Sequence, residues 1–239
     1  MNTQTFPLPV GAPLPNWQGC PPPAGVVLTG QECRLEPLDA ARHADALFEA
    51  YRQAPDDRDW LYLPVGPFPD VETYRAYARQ NARETDPLHF AIVSLSTGLP
   101  VGTIALMRQQ PRHGVVEVGF VTFSPALQRS RIATEAQFLL MSHVFDQLGY
   151  RRYEWKCDSL NQRSRNAAER LGFQYEGTFR QVVVYKGRNR DTAWFSIIDK
   201  EWPVVKAAFE HWLAPANFDA QGRQIRRLQD IRARIAASI

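Results

Sequence analysis

Cysteine is scarce: Cys20, Cys33 and Cys157 are the only three in 239 residues, an odd number with no metal-ligand spacing. That excludes a disulfide framework and a zinc site as the organising device, and a reducing cytoplasm is expected. No apolar run approaches the roughly 20 residues that cross a bilayer, and Met1 to Pro23 holds no basic stretch followed by an apolar one. A soluble protein is expected, with no membrane partner. Charge of one sign is not in excess either, since 28 Lys and Arg against 25 Asp and Glu leave only +3. A nucleic-acid binder normally concentrates positive charge in a patch or stripe, so no nucleic-acid partner is expected. Internal repeats and Ser/Gly linkers are lacking too, and 44% hydrophobic content is enough for one elaborated domain.

What the chain does have, first, is proline. Pro7, Pro9, Pro13, Pro15, Pro21, Pro22 and Pro23 mark residues 1–25 as an extended arm. Phe6, Leu8, Leu14 and Trp17 give it something to bury, and it is expected to wrap the domain. Val26 to Leu38 reads as one or two strands. Asp39 is placed to cap a helix with Ala40, Ala44, Leu47, Phe48 and Tyr51 on one face, and Asp70 a second with Val71, Tyr74, Tyr77 and Ala78. The aromatic, proline-rich stretch Asp59 to Pro69 between them has no regular period and suits a pocket-lining loop. Three strands, His89–Ser94, Val101–Arg108 and Val115–Phe123, form a meander. Helix 135–148, strand 152–157 and helix 161–171 follow, with Gly149 and Gly172 as C-terminal caps. Strands then flank a closing hairpin at Lys186 to Arg190. The order is α+β with a mixed central sheet, in a domain spanning 26–202. Residues 203–239 form a helical extension, with Leu228, Ile231 and Ile235 at helical spacing among arginines. It packs on the domain or on a sister subunit, so a homodimer stays open.

The chemistry concentrates between Glu117 and Phe173. Gln128-Arg129-Ser130-Arg131-Ile132-Ala133-Thr134 joins a strand to a helix start, where free N–H groups and the helix dipole suit a phosphate. Ser130, Ala133 and Thr134 are small enough to let it approach, and Gln128, Arg129 and Arg131 can add polar contacts. Asn161 and Ser164 open the next helix, where each also suits local capping.

The turn Gln128-x-x-Arg131-x-Ala133 resembles the Gln/Arg-x-x-Gly-x-Gly/Ala turn of GNAT-superfamily N-acetyltransferases, departing at Arg131, where the family usually has glycine. Glu117-Val118-Gly119-Phe120, Leu148-Gly149-Tyr150, Asn161-x-x-Ser164 and Leu171-Gly172-Phe173-x-x-Glu176-Gly177 follow in the expected order. Together they resemble the branch containing ribosomal-protein N-terminal acetyltransferases, over roughly 26–202. The resemblance implies a GNAT-like mixed, largely antiparallel sheet, splayed at the cofactor cleft, with helices on both faces. It implies acetyl-CoA as cosubstrate and no metal, with phosphates at 128–134 and pantetheine along the backbone of Val121, Thr122 and Phe123. Asn161 would bond the pantetheine arm and Ser164 would protonate the leaving thiolate. Acetyl would pass directly to a primary amine, with a backbone N–H near Val121 as oxyanion donor.

Glu117 is the expected base because strand alternation can aim it into the cleft; it equally suits an inner-face carboxylate bonded to a neighbouring strand or an arginine. Glu154, Asp158 and Glu176 are substitutes. Trp60, Tyr62, Phe68, Trp155 and Trp194 either select the acceptor or fill the core. Asp191, Glu176 and Arg180 could orient a cation or peptide end. Cys157 and the scattered histidines are given no catalytic part. The acceptor is a protein N-terminus or a small amine, and the rival reading is a non-catalytic acyl-CoA-binding module.

Overall fold

The computed structural model describes residues 8–238, so Phe6 and Pro7 of the arm lie outside the described residues. Two short strands, β1 (Leu28–Thr29) and β2 (Cys33–Pro37), lead to Asp39, whose carboxylate accepts the Ala41 N–H at 2.9 Å and starts α1 (Ala40–Arg52). Asp70 does the same for α2 (Val71–Asn81), accepting from Thr73 N–H at 2.7 Å. The meander follows as β3 (Leu88–Ser94), β4 (Pro100–Gln110) and β5 (Val115–Phe123). Next comes α3 (Arg131–Ser142), which opens four residues earlier than its apolar period suggests because the Ser130 hydroxyl caps it, accepting the Ala133 N–H at 3.1 Å. The remaining elements are β6 (Arg152–Asp158), α4 (Gln162–Leu171), β7 (Gln174–Tyr185), β8 (Arg188–Ile198), α5 (Trp202–Leu213) and α6 (Leu228–Ala236). The β7–β8 turn is shorter than expected. Only Lys186 and Gly187 form it, at φ +48° and +70°, the left-handed pair that a tight hairpin requires.

The eight strands among the described residues form one sheet in the order β1-β2-β3-β4-β5-β6-β8-β7, antiparallel except at β5–β6. Alternation divides its two faces. One carries Phe90, Ile92, Val116, Val118, Tyr153 and Trp155 into the main core with α3, α5 and α6. The other carries Ala91 and Val93 against α1, α2 and an aromatic cluster around Tyr51, Trp60 and Tyr74. Helices therefore cover both faces of an α+β sheet.

The C-terminal helices belong to the main core: Phe209, Trp212 and Leu228 are at most 4% exposed. Arg232 bonds the Glu169 and Arg170 carbonyls at the open C-terminus of α4, at 3.0 and 2.9 Å. Leu8 and Leu14 of the arm are exposed, whereas Trp17 docks, its indole N–H donating to the Arg112 carbonyl at 2.8 Å.

Candidate active site

The parallel strands β5 and β6 pair only from Val115/Arg152 to Val118/Trp155, although β5 continues to Phe123 and β6 to Asp158. A bulge explains the parting. Ala105 of β4 pairs with Gly119 and Thr103 with Thr122, so β5 carries one residue too many, and Phe120 adopts φ +47°. The strand bends away from β6, leaving one backbone edge of Val121, Thr122 and Phe123 unpaired with β6 and half-buried. The Phe123 carbonyl receives the Gln128 amide at 3.3 Å and the Thr122 carbonyl the Tyr51 hydroxyl at 3.4 Å, and an edge that β6 leaves unpaired suits an extended amide-bearing chain.

The start of α3 stands at the end of this parting. Ser130 satisfies the Ala133 N–H, but among the described residues no acceptor meets the N–H of Arg131 or Ile132. Arg131, the departure from the family's glycine, directs its side chain out of the turn. Its guanidinium ion-pairs with Glu32 at 2.9 Å and lies 4.0 Å over the Phe218 ring, so the C-terminal extension helps clear the helix start. Arg129 is exposed at φ +60°. Thr134 is buried, and its hydroxyl accepts from Arg170 at 3.2 Å rather than facing the turn.

At the other wall, Asn161 caps α4, its Oδ1 accepting the Ser164 N–H at 3.1 Å and leaving the amide NH2 unused by the cap. Ser164 Oγ accepts the Trp155 indole N–H at 2.9 Å, so the hydroxyl proton is turned elsewhere. For Trp155 the sequence leaves acceptor selection and the core both open. Alternation turns it to the core face, where it is 6% exposed and packs edge-on against Phe173. Burial raises the pKa of the Cys157 thiol, partly offset by a hydrogen bond from Ser164, which disfavours a nucleophilic thiolate.

Glu117 lies on the opposite sheet face, 4% exposed. Its Oε2 receives Arg108 at 2.9 Å and the Lys156 ammonium at 2.8 Å. Lys156 also holds Glu154 at 2.7 Å and rests 3.8 Å from the Trp194 ring centroid. Arg152 continues the row, bonding Glu154 and, bidentately, Glu176, whose pKa it depresses. Glu117, Glu154 and Glu176 thus all sit in cation pairs. Asp158 differs: its partners are the Leu160 N–H and the Tyr185 hydroxyl, both at 2.9 Å, with no cation bonded among the described residues. Burial and Asp158 push Tyr185 up to about 12.

The loop between α1 and α2 reaches across this face. Asp59 accepts from Gln128 at 2.7 Å and from Arg163 at 3.1 Å, joining the two walls of the parting. Tyr62 donates to the Leu160 carbonyl at 3.3 Å, and Lys186 to that of Trp60 at 2.8 Å. Trp60 packs edge-on against Tyr51 and Phe68, at 5.3 and 5.4 Å, while Trp194 stacks on Phe179 at 4.6 Å. A cavity of about 400 Å³ opens between loop and hairpin, lined by Asp57, Arg58, Trp60, Leu61, Pro67, Tyr185, Lys186 and Arg188. Asp191 is occupied in holding the Gln181 N–H at 2.8 Å across the β7–β8 bulge. Asp59, Lys156, Tyr185 and Lys186 were not singled out from sequence. For Lys156 a signal existed, because it alternates with Glu154 and Asp158 on a strand facing Glu117.

A mixed sheet parted at its one parallel pair, with a capped helix start at the parting, defines a transferase fold built to hold an extended donor. A family model described as an acetyltransferase (GNAT) domain matches residues 33–174. The chain belongs to the GNAT acetyltransferase family, and so is an acyltransferase enzyme rather than a non-catalytic module. A solved GCN5-related N-acetyltransferase from Brucella melitensis is 46% identical, with a TM-score of 0.91, covering 92% of this chain and 100% of that one. YdaF of Bacillus subtilis, provisionally named a ribosomal N-acetyltransferase, is 26% identical over 181 residues, 72% of this chain and 92% of its own. The ribosomal L7/L12 α-N-protein acetyltransferase RimL, solved with coenzyme A, shares the fold at 19% identity and a TM-score of 0.59, covering 73% of this chain and 99% of that one.

Proposed function

We propose that the chain moves acetyl from acetyl-CoA to the α-amine of a protein N-terminus. The observation that carries this reading is the parted β5–β6 pair, with a backbone edge at Val121–Phe123 that β6 leaves unpaired and, among the described residues, unpaired N–H groups at Arg131 and Ile132. Those groups suit a pantetheine arm ending in a pyrophosphate. RimL's complex with coenzyme A supports the donor, and the names of RimL and YdaF favour a protein acceptor over a small amine.

In this reading the donor, when bound, supplies the thioester carbonyl. The Val121 N–H stabilises negative charge developing on its oxygen. Ser164 gives its proton to the departing sulfur, aided by the Trp155 N–H that polarises its oxygen. Asn161 orients the arm through its amide NH2. For the base, Glu117 and Asp158 share the acceptor face, and Asp158 is the one without a bonded cation among the described residues. Asp158 can take the ammonium's proton directly or through a water, while Glu117 and Lys156 fix the field around it.

Calorimetry with acetyl-CoA tests the donor site. Saturable binding is expected, weakened about tenfold or more in Asn161→Ala and in Arg129→Glu; absent binding overturns the reading. Release of CoA thiol with N-terminal peptides, but not with the same peptides blocked at the α-amine, tests the acceptor.

A further inference from the structure

The β7–β8 hairpin presents two cations without acids. Lys186 and Arg188 flank Gly187 at its tip, and among the described residues neither forms an ion pair with a carboxylate. Among the described residues the Lys186 ammonium donates only to the Trp60 carbonyl, at 2.8 Å. Burial and the nearby Arg188 lower its pKa, as expected of a cation whose neighbour shares its sign. Its backbone is in the left-handed region at φ +48°, where asparagine or glycine sits more easily than lysine.

Both side chains line the cavity of about 400 Å³ beneath the α1–α2 loop. Of the other charged groups there, Arg58 is neutralised by Asp56 at 2.6 Å, and Asp57 stands on the loop wall. The cavity is therefore polarised, with cations on the hairpin wall and one carboxylate on the loop wall. It also connects to the chemistry. Tyr185, next to Lys186, lines it and donates to Asp158, two positions along β6 from the Lys156 that grips Glu117.

We infer that this cavity is an acceptor subsite for acidic N-termini, in which carboxylates in the first few residues of the acceptor peptide meet Lys186 and Arg188. The inference rests on the proposed transfer to a protein α-amine. Acidic side chains are held at the hairpin while the α-amine extends toward Asp158 and Glu117. A peptide with lysines in the same places meets like charge, which is the more effective half of such discrimination.

Peptides beginning Ser-Asp-Glu, Ser-Ala-Ala and Ser-Lys-Lys, labelled at their C-termini, test this by fluorescence anisotropy and by CoA release. Anisotropy reads the subsite even if the acetyl donor proves to be another thioester, and acetyl-CoA calorimetry reads the donor site alone. The acidic peptide is expected to bind at least tenfold more tightly than the neutral one, and its advantage should shrink as salt rises. Lys186→Asn with Arg188→Gln keeps a residue suited to the left-handed turn. It should abolish that preference through KM, with acetyl-CoA affinity unchanged. Lys186→Glu with Arg188→Glu should favour the lysine peptide. Equal wild-type binding of acidic and neutral peptides, or a preference that survives the double substitution, overturns the inference. Free glutamate acetylated as efficiently as the acidic peptide would overturn the peptide assignment.

Discussion

Lys156 carries more electrostatic consequence than any other single side chain described, because its ammonium, 4% exposed, is shared by Glu117 and Glu154. Removing it leaves Glu117 to Arg108 and Glu154 to Arg152, so the loss falls below the roughly 3–5 kcal/mol of a buried charge left wholly uncompensated. Lys156→Met is expected to lose about 1–3 kcal/mol of stability, measured as a shift of the urea midpoint at unchanged slope. Ser164→Ala should lower kcat roughly 100-fold while acetyl-CoA still binds, and Trp155→Phe, which removes the polarising N–H, should lower it less. His89 gives a pH prediction. Burial pulls its pKa from 6.5 to about 4, and its Nε2 has no partner among the described residues. The folded state then binds fewer protons than the unfolded between those values. Its stability is full above about 6.5 and falls as pH drops toward 4, by on the order of 3 kcal/mol. His89→Leu should flatten that part of a stability-against-pH curve. At this scale the sequence was half legible. Alternation could place Glu117 on a face, but not reveal that cations from β4 and β6 meet it there, since those contacts join residues 9 and 39 positions apart.

The elements were more readable, because caps and periods are local. Asp39, Asp70 and Asn161 each start the helix expected of them. What escaped was the bulge at Phe120, which depends on register against β4 and on a positive φ at a bulky residue. The start of α3 carries another hidden element. Glu135 accepts the N–H groups of Gln31, Glu32 and Cys33 at 2.7–2.8 Å, fastening α3 to the β1–β2 turn. A Cβ at Gly30 would stand 2.4 Å from that carboxyl carbon. Glu135→Ala should cost about 2–3 kcal/mol and raise hydrogen exchange at residues 31–33 specifically. Gly30→Ala should weaken the same fastening by displacement, with the same exchange signature.

Across the whole molecule, the sheet separates its duties by face. Apolar side chains from α5 and α6 complete one side, and the charged row from Arg108 to Glu176 occupies the other. The extension beyond residue 202 was read as an attachment, because its own sequence shows only helical period. Packing makes it part of the core and, through Phe218, part of the clearance around the helix start. Truncation after Pro215 should therefore lower the melting temperature and weaken acetyl-CoA binding together, checked by scanning calorimetry and titration.

The reach of Asp59 has a temporal consequence. One carboxylate links Gln128 on one wall to Arg163 on the other, and the next residue's carbonyl holds the hairpin through Lys186. An anionic donor entering between the walls would compete with Asp59 for Gln128 and Arg163, and the loop that carries Asp59 also lines the neighbouring cavity. The molecule thus has the parts of a clock: occupancy of the first site alters a wall of the second. Initial rates should show bound donor changing the apparent affinity for the acceptor, and Asp59→Asn should weaken that coupling while tightening the donor.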